Sequence, residues 1–353
     1  MKKVKTSKEK NLSILRKRWL KFKTLKRGYY SLVILTALYI ISFFLPLLIN
    51  NRSLIVHYND ELYFPVLSGY IPGKLFGQEV PGEARYRDLK QVFEDEDSGN
   101  WVLMPPYPYS PFEDITFEGN KMYEPPSLRH WLGTDNTGRD VFARLCYAFN
   151  ISISFALILT IITYILGIMI GGSMGYFGGK FDLFFQRLIE IWSSLPMLFV
   201  IIIFVSILRP SFFLLIGIYT LVNWIGMTYY MRAEFYREKA KDYVAAALSM
   251  GQKDVKVMFL HIFPNSLVPV ITYFPFSIVA GISALVGLDY LGFGLAPPTP
   301  SWGQMLDVGL QNITKWWMVF APISAQFLTL LSVVFIGEGV REAFDPKVYS
   351  RLR

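Results

Sequence analysis

The chain has 353 residues, of which 53% are hydrophobic, 16% aromatic and 18% charged, and its formal net charge is +8. Soluble domains carry roughly 25% charge, and the apolar residues here gather into runs of the length that crosses a bilayer, about 20 per helix. The cations cluster against one apolar run, which argues against nucleic acid as their partner, and Cys146 stands alone, leaving no intrachain disulfide and no thiolate metal cluster.

Twelve cationic residues, from Lys2 to Arg27, precede the first apolar run. A basic segment abutting an apolar helix marks the cytoplasmic side. Residues 1–28 therefore read as a basic cytoplasmic tail and 29–49 as a first transmembrane helix. That run is too long for a signal-peptide core, and no small-x-small cleavage site follows it. Asn50, Asn51 and Arg52 come next.

Residues 50–147 form a long polar excursion on the opposite side, with fifteen acids against nine cations. Prolines and aromatics crowd the stretch 104–111, MPPYPYSP, which resists regular helix. An irregular extracytoplasmic insertion with short strands is expected. A lid over the outer mouth, a shelf for a binding protein and a passive insertion remain open readings of it.

Five further apolar runs follow, at 151–171, 184–208, 211–231, 268–291 and 317–335. From an inside start they give six crossings and a cytoplasmic tail at 341–353. The charges agree. Arg232, Arg237, Lys239, Lys241, Lys253 and Lys256 follow the fourth run, Lys180 and Arg187 flank the turn after the second, and the far loop 292–316 has only Lys315. The expected fold class is an all-α polytopic membrane protein, with a core over 148–340 and a cytoplasmic loop at 232–265. Pro46, Pro196, Pro269, Pro275 and Pro322 lie in or near the runs and read as static bends more readily than as hinges. Glu190, about a turn after Arg187, reads as a salt-bridge or packing residue rather than a transport carboxylate. His57, His130 and His261 are too scattered for a metal site.

No ATPase signature is present. In 175–180, GYFGGK, Met174 takes the place of the first phosphate-loop glycine and Phe181 follows the lysine. A tight inside turn is the better reading. The segment 241–251, KDYVAAALSMG, favours helix, with Val244, Ala247 and Gly251 on one face. Small residues there admit another surface. Gly251 is expected to end this helix and Pro264 to stop a second one.

This segment resembles the EAA loop of bacterial ATP-binding-cassette importer permeases, whose pattern is roughly E-A-A, a Gly four residues on, then I-x-L-P. Ala246, Ala247, Gly251, Ile262 and Pro264 fall on it, with Ala245 in place of the Glu and Phe263 in place of the Leu. Residues 130–140, HWLGTDNTGRD, are similar to the H-x-L-G-T-D-x-x-G-R-D signature of dipeptide/oligopeptide permeases, carrying Gly133, Asp135, Gly138, Arg139 and Asp140. A capped turn before a membrane helix is favoured for Gly133, Gly138, Arg139 and Asp140 over substrate contact. The segments 175–179 with Asp182, 195–196 and 291–303 fit the same family. Within the last, Pro297, Pro298 and Pro300 stiffen the loop, and Trp302, Trp316 and Trp317 suit an interfacial belt.

The long insertion and the ending 335–346, FIGEGVREAFDP, look like the Yej-type permeases, associated with peptides and microcin C. The resemblance implies the type I importer fold in a bacterial inner membrane, both termini cytoplasmic. It implies a heterodimer with a second permease, two ATPase subunits that bind ATP and Mg²⁺, an external substrate-binding protein and a peptide substrate. This chain would hold no cofactor and catalyse nothing. A stand-alone carrier or channel is the alternative. It calls for internal repeats and intramembrane charges, and the sequence has no visible repeat and few such charges.

Overall fold

The computed structural model describes residues 13–96, 99–114, 116, 119 and 121–345. The basic positions Lys2, Lys3, Lys5, Lys8 and Lys10, the acids Asp97 and Glu118, and Pro346, Lys347, Arg351 and Arg353 lie outside the described residues. The chain forms two compact units. One takes in Met1–Thr36, Ile153–Leu285 and Leu328–Arg353, the other Ala37–Ser152 and Val286–Phe327.

In chain order the helices begin with α1 (Ile14–Thr24), α2 (Lys26–Ser42), α3 (Leu45–Leu48), α4 (Pro65–Ser68) and α5 (Tyr86–Glu96). Then come α6 (Val141–Phe177), α7 (Gly179–Ser193), α8 (Met197–Ile207), α9 (Phe212–Lys239) and α10 (Asp242–Ser249). The last four are α11 (Asp254–Val257), α12 (Leu267–Tyr290), α13 (Trp302–Gln311) and α14 (Trp316–Phe344). Three strands, β1 (Ile55–Tyr58), β2 (Glu61–Tyr63) and β3 (Trp101–Leu103), make one antiparallel sheet in the order β2-β1-β3.

Among the described residues, four helical stretches have the length and apolarity to cross a membrane: Val141–Phe177, Phe212–Lys239, Asp254–Tyr290 and Trp316–Phe344. A fifth is added if α7 and α8 count as one span, and these are bent by 71°. The run expected at 184–208, with a bend at Pro196, is thus broken there into two helices. Pro196 has no N–H to donate and holds an extended backbone as the N-cap of α8. α2 has 17 residues, about 25 Å at the helical rise, somewhat short of the ~30 Å hydrocarbon core. It stops at Ser42 because Phe43 and Phe44 turn the chain before Pro46 opens α3.

Residues 50–147 are more ordered than their proline content suggests. Asn59 and Asp60 both take positive φ, 50° and 62°, the two-residue geometry that matches the twist of a hairpin. Their hairpin pairs β1 with β2. Along β1 the inward Val56 is fully buried and pairs with Val102, which is 6% exposed. α5 covers this face, because Tyr86, Leu89 and Phe93 recur at i, i+3 and i+7 and point at the sheet. The other face carries Leu62, Trp101 and Leu103, all exposed. The proline-rich 104–111 stretch is irregular as expected, and the described residues from there to Asp140 form no helix or strand.

The loop 292–316 also holds a helix, α13, started by Ser301, whose hydroxyl accepts from the Gly303 and Gln304 amides. Trp302 and Trp317 are buried at 1% and 6% exposure. Of the three tryptophans expected in an interfacial belt, only Trp316 is exposed, since the other two are packing residues.

Candidate functional site

The coupling candidates come first. α10 spans Asp242–Ser249 and ends in a Schellman closure: the Gly251 N–H donates to Leu248 O at 2.9 Å and the Gln252 N–H to Ala247 O at 3.2 Å. Gly251 sits at φ +75°, as this closure requires. The face expected to admit a partner is turned the other way. Val244 and Ala247 are each 1% exposed, packed with Met231, Phe235, Val257 and Ile262 in the chain's own core. Ala245, Ala246 and Gly251 are exposed, alongside Leu248 and Met250. The structure therefore divides the six residues. Ala247 and Ile262 anchor the segment, while Ala245, Ala246, Gly251 and Pro264 stand open.

Polar contacts fasten the anchored side. Glu238, buried at the end of α9, accepts from Lys241 Nζ at 2.6 Å and Tyr243 Oη at 2.8 Å. Burial and the neighbouring Glu238 carboxylate push the Tyr243 phenol up to about 12, so it stays a donor at neutral pH. Tyr176 Oη donates to Asp254 at 2.5 Å. Pro264 does not stop a helix. A π turn over Met258–Ile262 and a 3-10 turn over Phe263–Ser266 carry α11 into α12. The Phe263 N–H reaches back five residues to Met258 O, and this wider turn passes the position where Pro264 offers no N–H. In strict I-x-L-P spacing Pro264 places His261, not Ile262, at the Ile position; His261 Nε2 lies 2.8 Å from Gln252 Oε1.

α6 and α9 pack through a stripe that the sequence reading passed over, Gly167, Gly171 and Gly175. A Cβ on Gly167 would lie 2.7 Å from Met227 Cβ, and Cβ atoms on Gly171 and Gly175 would overlap the Thr228 and Arg232 carbonyls. The four-residue spacing is the small-xxx-small signature of close helix contact in membranes and was readable. Arg232 adds a two-pronged bond to the Asp182 carboxylate, both contacts 2.6 Å. Near the Gly167–Met227 contact, α6, α9 and α12 border an open cavity of about 260 Å³, with Thr160, Thr163, Asn223, Tyr230, Tyr273 and Ser277 in its wall. No contiguous motif marks it. Glu190 pairs with Arg187 at 2.6 Å on an exposed face.

The five signature residues form one turn ahead of α6. Gly133 and Gly138 have φ of +71° and +80°. The Asp135 carboxylate accepts from the Thr137 and Arg139 amides at 2.8 and 2.9 Å. Asp140 caps α6 by accepting from the Ala143 N–H at 2.7 Å. Its other oxygen takes Tyr107 Oη at 2.6 Å and His130 Nδ1 at 2.8 Å. Burial, then Asp140, raises the Tyr107 phenol well above its ordinary range. Arg139 makes its backbone contacts here; its side chain is half-buried. The arrangement is a closed structural joint. Of the histidines, His130 belongs to this joint, His57 stacks on Trp101 and His261 meets Gln252.

Comparison with known proteins gives the same direction. Residues 164–349 match the family described as "Binding-protein-dependent transport system inner membrane component". The chain is 39% identical over 93% of its length, and 96% of the relative's, to the "Inner membrane ABC transporter permease protein YejE" of Escherichia coli K12. It is 36% identical, covering 94% of this chain and 93% of the relative, to the "Peptidoglycan transport system permease protein YejE" of Agrobacterium fabrum. It is 34% identical to the "Dipeptide transport system permease protein DppC" of Bacillus subtilis, over 64% of this chain and 71% of that one. A chain with four or five spanning helices that matches this family over its core and relatives over nearly its whole length belongs to the binding-protein-dependent transport system inner membrane components, the multi-pass inner-membrane permeases of ATP-binding-cassette transporters.

Proposed function

We propose that this chain is one permease half of an importer for peptides or peptide conjugates, the microcin C class included, and that it receives its driving force through residues 240–264. The observation that carries the coupling is the two-sided α10. Its inner face is fixed by Val244, Ala247 and the Glu238 bonds, while its outer face leaves Ala245, Ala246 and Gly251 bare. Such a helix transmits a push without needing a side chain of its own in the chemistry. ATP and Mg²⁺ bind on the partner ATPase subunits, a second permease completes the pathway, and an external binding protein delivers the ligand. The relatives named for dipeptide and peptidoglycan transport support a ligand with peptide bonds.

Six crossings, both termini in the cytoplasm and residues 50–147 outside complete the proposal, on the strength of the charge pattern. Cysteines placed at Val80 and Ala245, with Cys146→Ser removing the native thiol, test it. Position 80 labels in intact cells and position 245 only after lysis; labelling of 245 from outside ends the topology. For the function, a tagged chain should retain ATPase subunits through purification and support ATP-dependent uptake of a radiolabelled tripeptide in proteoliposomes with the binding protein. An active, ATP-independent chain purified alone returns the carrier alternative.

A further inference from the structure

The cavity among α6, α9 and α12 has a chemistry of its own. Its wall sets hydroxyls, one carboxamide and aromatic rings among aliphatic residues such as Leu159, Met227 and Ala284, and among the described residues none that lines it is charged. Part of this polarity is already used across helices. Tyr164 Oη on α6 lies 2.7 Å from Ser277 Oγ on α12, and within α6 Thr163 Oγ1 donates back to Leu159 O at 2.8 Å. Tyr230 and Tyr273 stack with centroids 4.3 Å apart. Asn223 is different. One amide N–H goes to Tyr219 O at 2.9 Å, while its carboxamide oxygen has no partner among the described residues and the side chain is exposed. An exposed carboxamide on a spanning helix does not suit lipid, so it faces protein, water or ligand.

We infer that this cavity is a ligand-contacting stretch of the pathway, that Asn223 hydrogen-bonds the peptide backbone there, and that its uncharged wall leaves this stretch indifferent to ligand side-chain charge. The inference rests on the peptide-import reading above. Backbone amides pair with hydroxyls and carboxamides whatever side chains they carry. Aromatic rings supply contact area without demanding a partner charge. A single Asp, Glu, Lys or Arg in so apolar a wall would attract one sign of ligand and repel the other, because charges act strongly in low-dielectric surroundings.

The test creates that selectivity. In the assembled transporter with its binding protein, uptake of Ala-Lys-Ala and Ala-Glu-Ala is compared for wild type, Asn223→Asp and Asn223→Lys. The binding protein's own preference is common to all three and cancels in the ratio to wild type. Asn223→Asp should shift the cationic-to-anionic ratio up by about tenfold and Asn223→Lys down by about as much, the size that ~1.4 kcal/mol of charge interaction gives. If a variant fails to assemble, Asn223→Cys in a Cys146→Ser background is modified after assembly with a cationic or an anionic methanethiosulfonate and read the same way. Unchanged ratios in active transporters overturn the inference and leave peptide import standing. Import of both peptides abolished by either charge also overturns it, because a charge then blocks rather than selects. A wild type that imports neither peptide, in a complex with working ATPases, removes the peptide reading and the inference together.

Discussion

The turn at 130–140 and the segment at 241–264 both depend on a left-handed glycine, yet they are built for opposite ends. Gly133 has φ +71° and Gly251 has φ +75°. A Cβ on Gly133 would overlap the Glu124 carbonyl and lie 2.9 Å from Trp317 Nε1. A Cβ on Gly251 would meet nothing within 4 Å. Around Gly133 the buried Asp140 is saturated by Tyr107, His130 and the Ala143 amide. Around Gly251 the alanines 245 and 246 and the side chain of Met250 lie bare. The contrast separates a joint whose geometry is determined inside the chain from a surface whose constraint must come from another molecule. Glycine alone does not say which; the surrounding atoms do.

The largest effect expected from this contrast is in the joint. Asp140→Ala strands the Tyr107 hydroxyl, His130 Nδ1 and the first-turn amide of α6 in a buried place. Losing one partner of a buried charged network costs roughly 3–5 kcal/mol. Little folded protein should survive detergent extraction, read by fluorescence-detected size exclusion and thermal ramp. An Asp140→Ala protein as stable as wild type would erase the distinction between the two regions.

The paired glycine substitutions sharpen it. Gly133→Ala combines positive φ with a backbone collision that cannot relax cheaply, and should cost more than ~2 kcal/mol. Gly251→Ala carries the left-handed strain alone, about 1 kcal/mol. Equal losses in apparent Tm would mean that the open space at Gly251 is not real. Gly251→Trp should then be a functional lesion more than a folding one. Its Cβ meets nothing within 4 Å, so it should insert and assemble its own fold, yet lose uptake and ligand-stimulated ATP hydrolysis together. Full transport and full stimulation by a stably inserted Gly251→Trp would remove the docking role.

Much of this was legible in the sequence, and the misses have physical causes. The apolar runs at 151–171, 211–231 and 317–335 mark three of the spans, but α6, α9 and α14 extend past them to Phe177, Lys239 and Phe344. Polar residues continue a helix when packing and pairs such as Asp182–Arg232 support it, and apolarity does not report that. The glycines and aspartates of the signature turn were visible through the resemblance to the family signature. Tyr107, the partner of Asp140 from 33 residues away, was not, because no local pattern links them. Val244 and Ala247 show helical periodicity, which reveals a face but not what covers it, and here the cover is the chain's own core. The cavity escaped for a similar reason: its residues are scattered over three helices. The GxxxGxxxG stripe at 167–175 was in plain view.

The smallest effect concerns Ala245, where the family pattern has Glu. Ala245→Glu places a carboxylate on the exposed side of α10, three residues from Asp242 and four from Lys241. Lys241 is already held by Glu238 at 2.6 Å, so a new pair gains little, and the repulsion from Asp242 is offset by the favourable helix N-terminus. Exposed pairs of this kind contribute ~0–1 kcal/mol, and the fold should be unchanged within about 0.5 kcal/mol. What should change is the surface offered to an ATPase. If a basic group lies opposite, the added charge tightens the complex at low salt, and the gain fades as the Debye length falls to ~3 Å at 1 M. Retention of ATPase subunits on the tagged permease, compared with wild type across a salt series, measures this directly. A thermal shift of many degrees would show that position 245 is packed rather than bare. Retention identical to wild type at every salt concentration would show that the outer face of α10 makes no charge-sensitive contact, and that Ala245 does there all that the Glu does elsewhere.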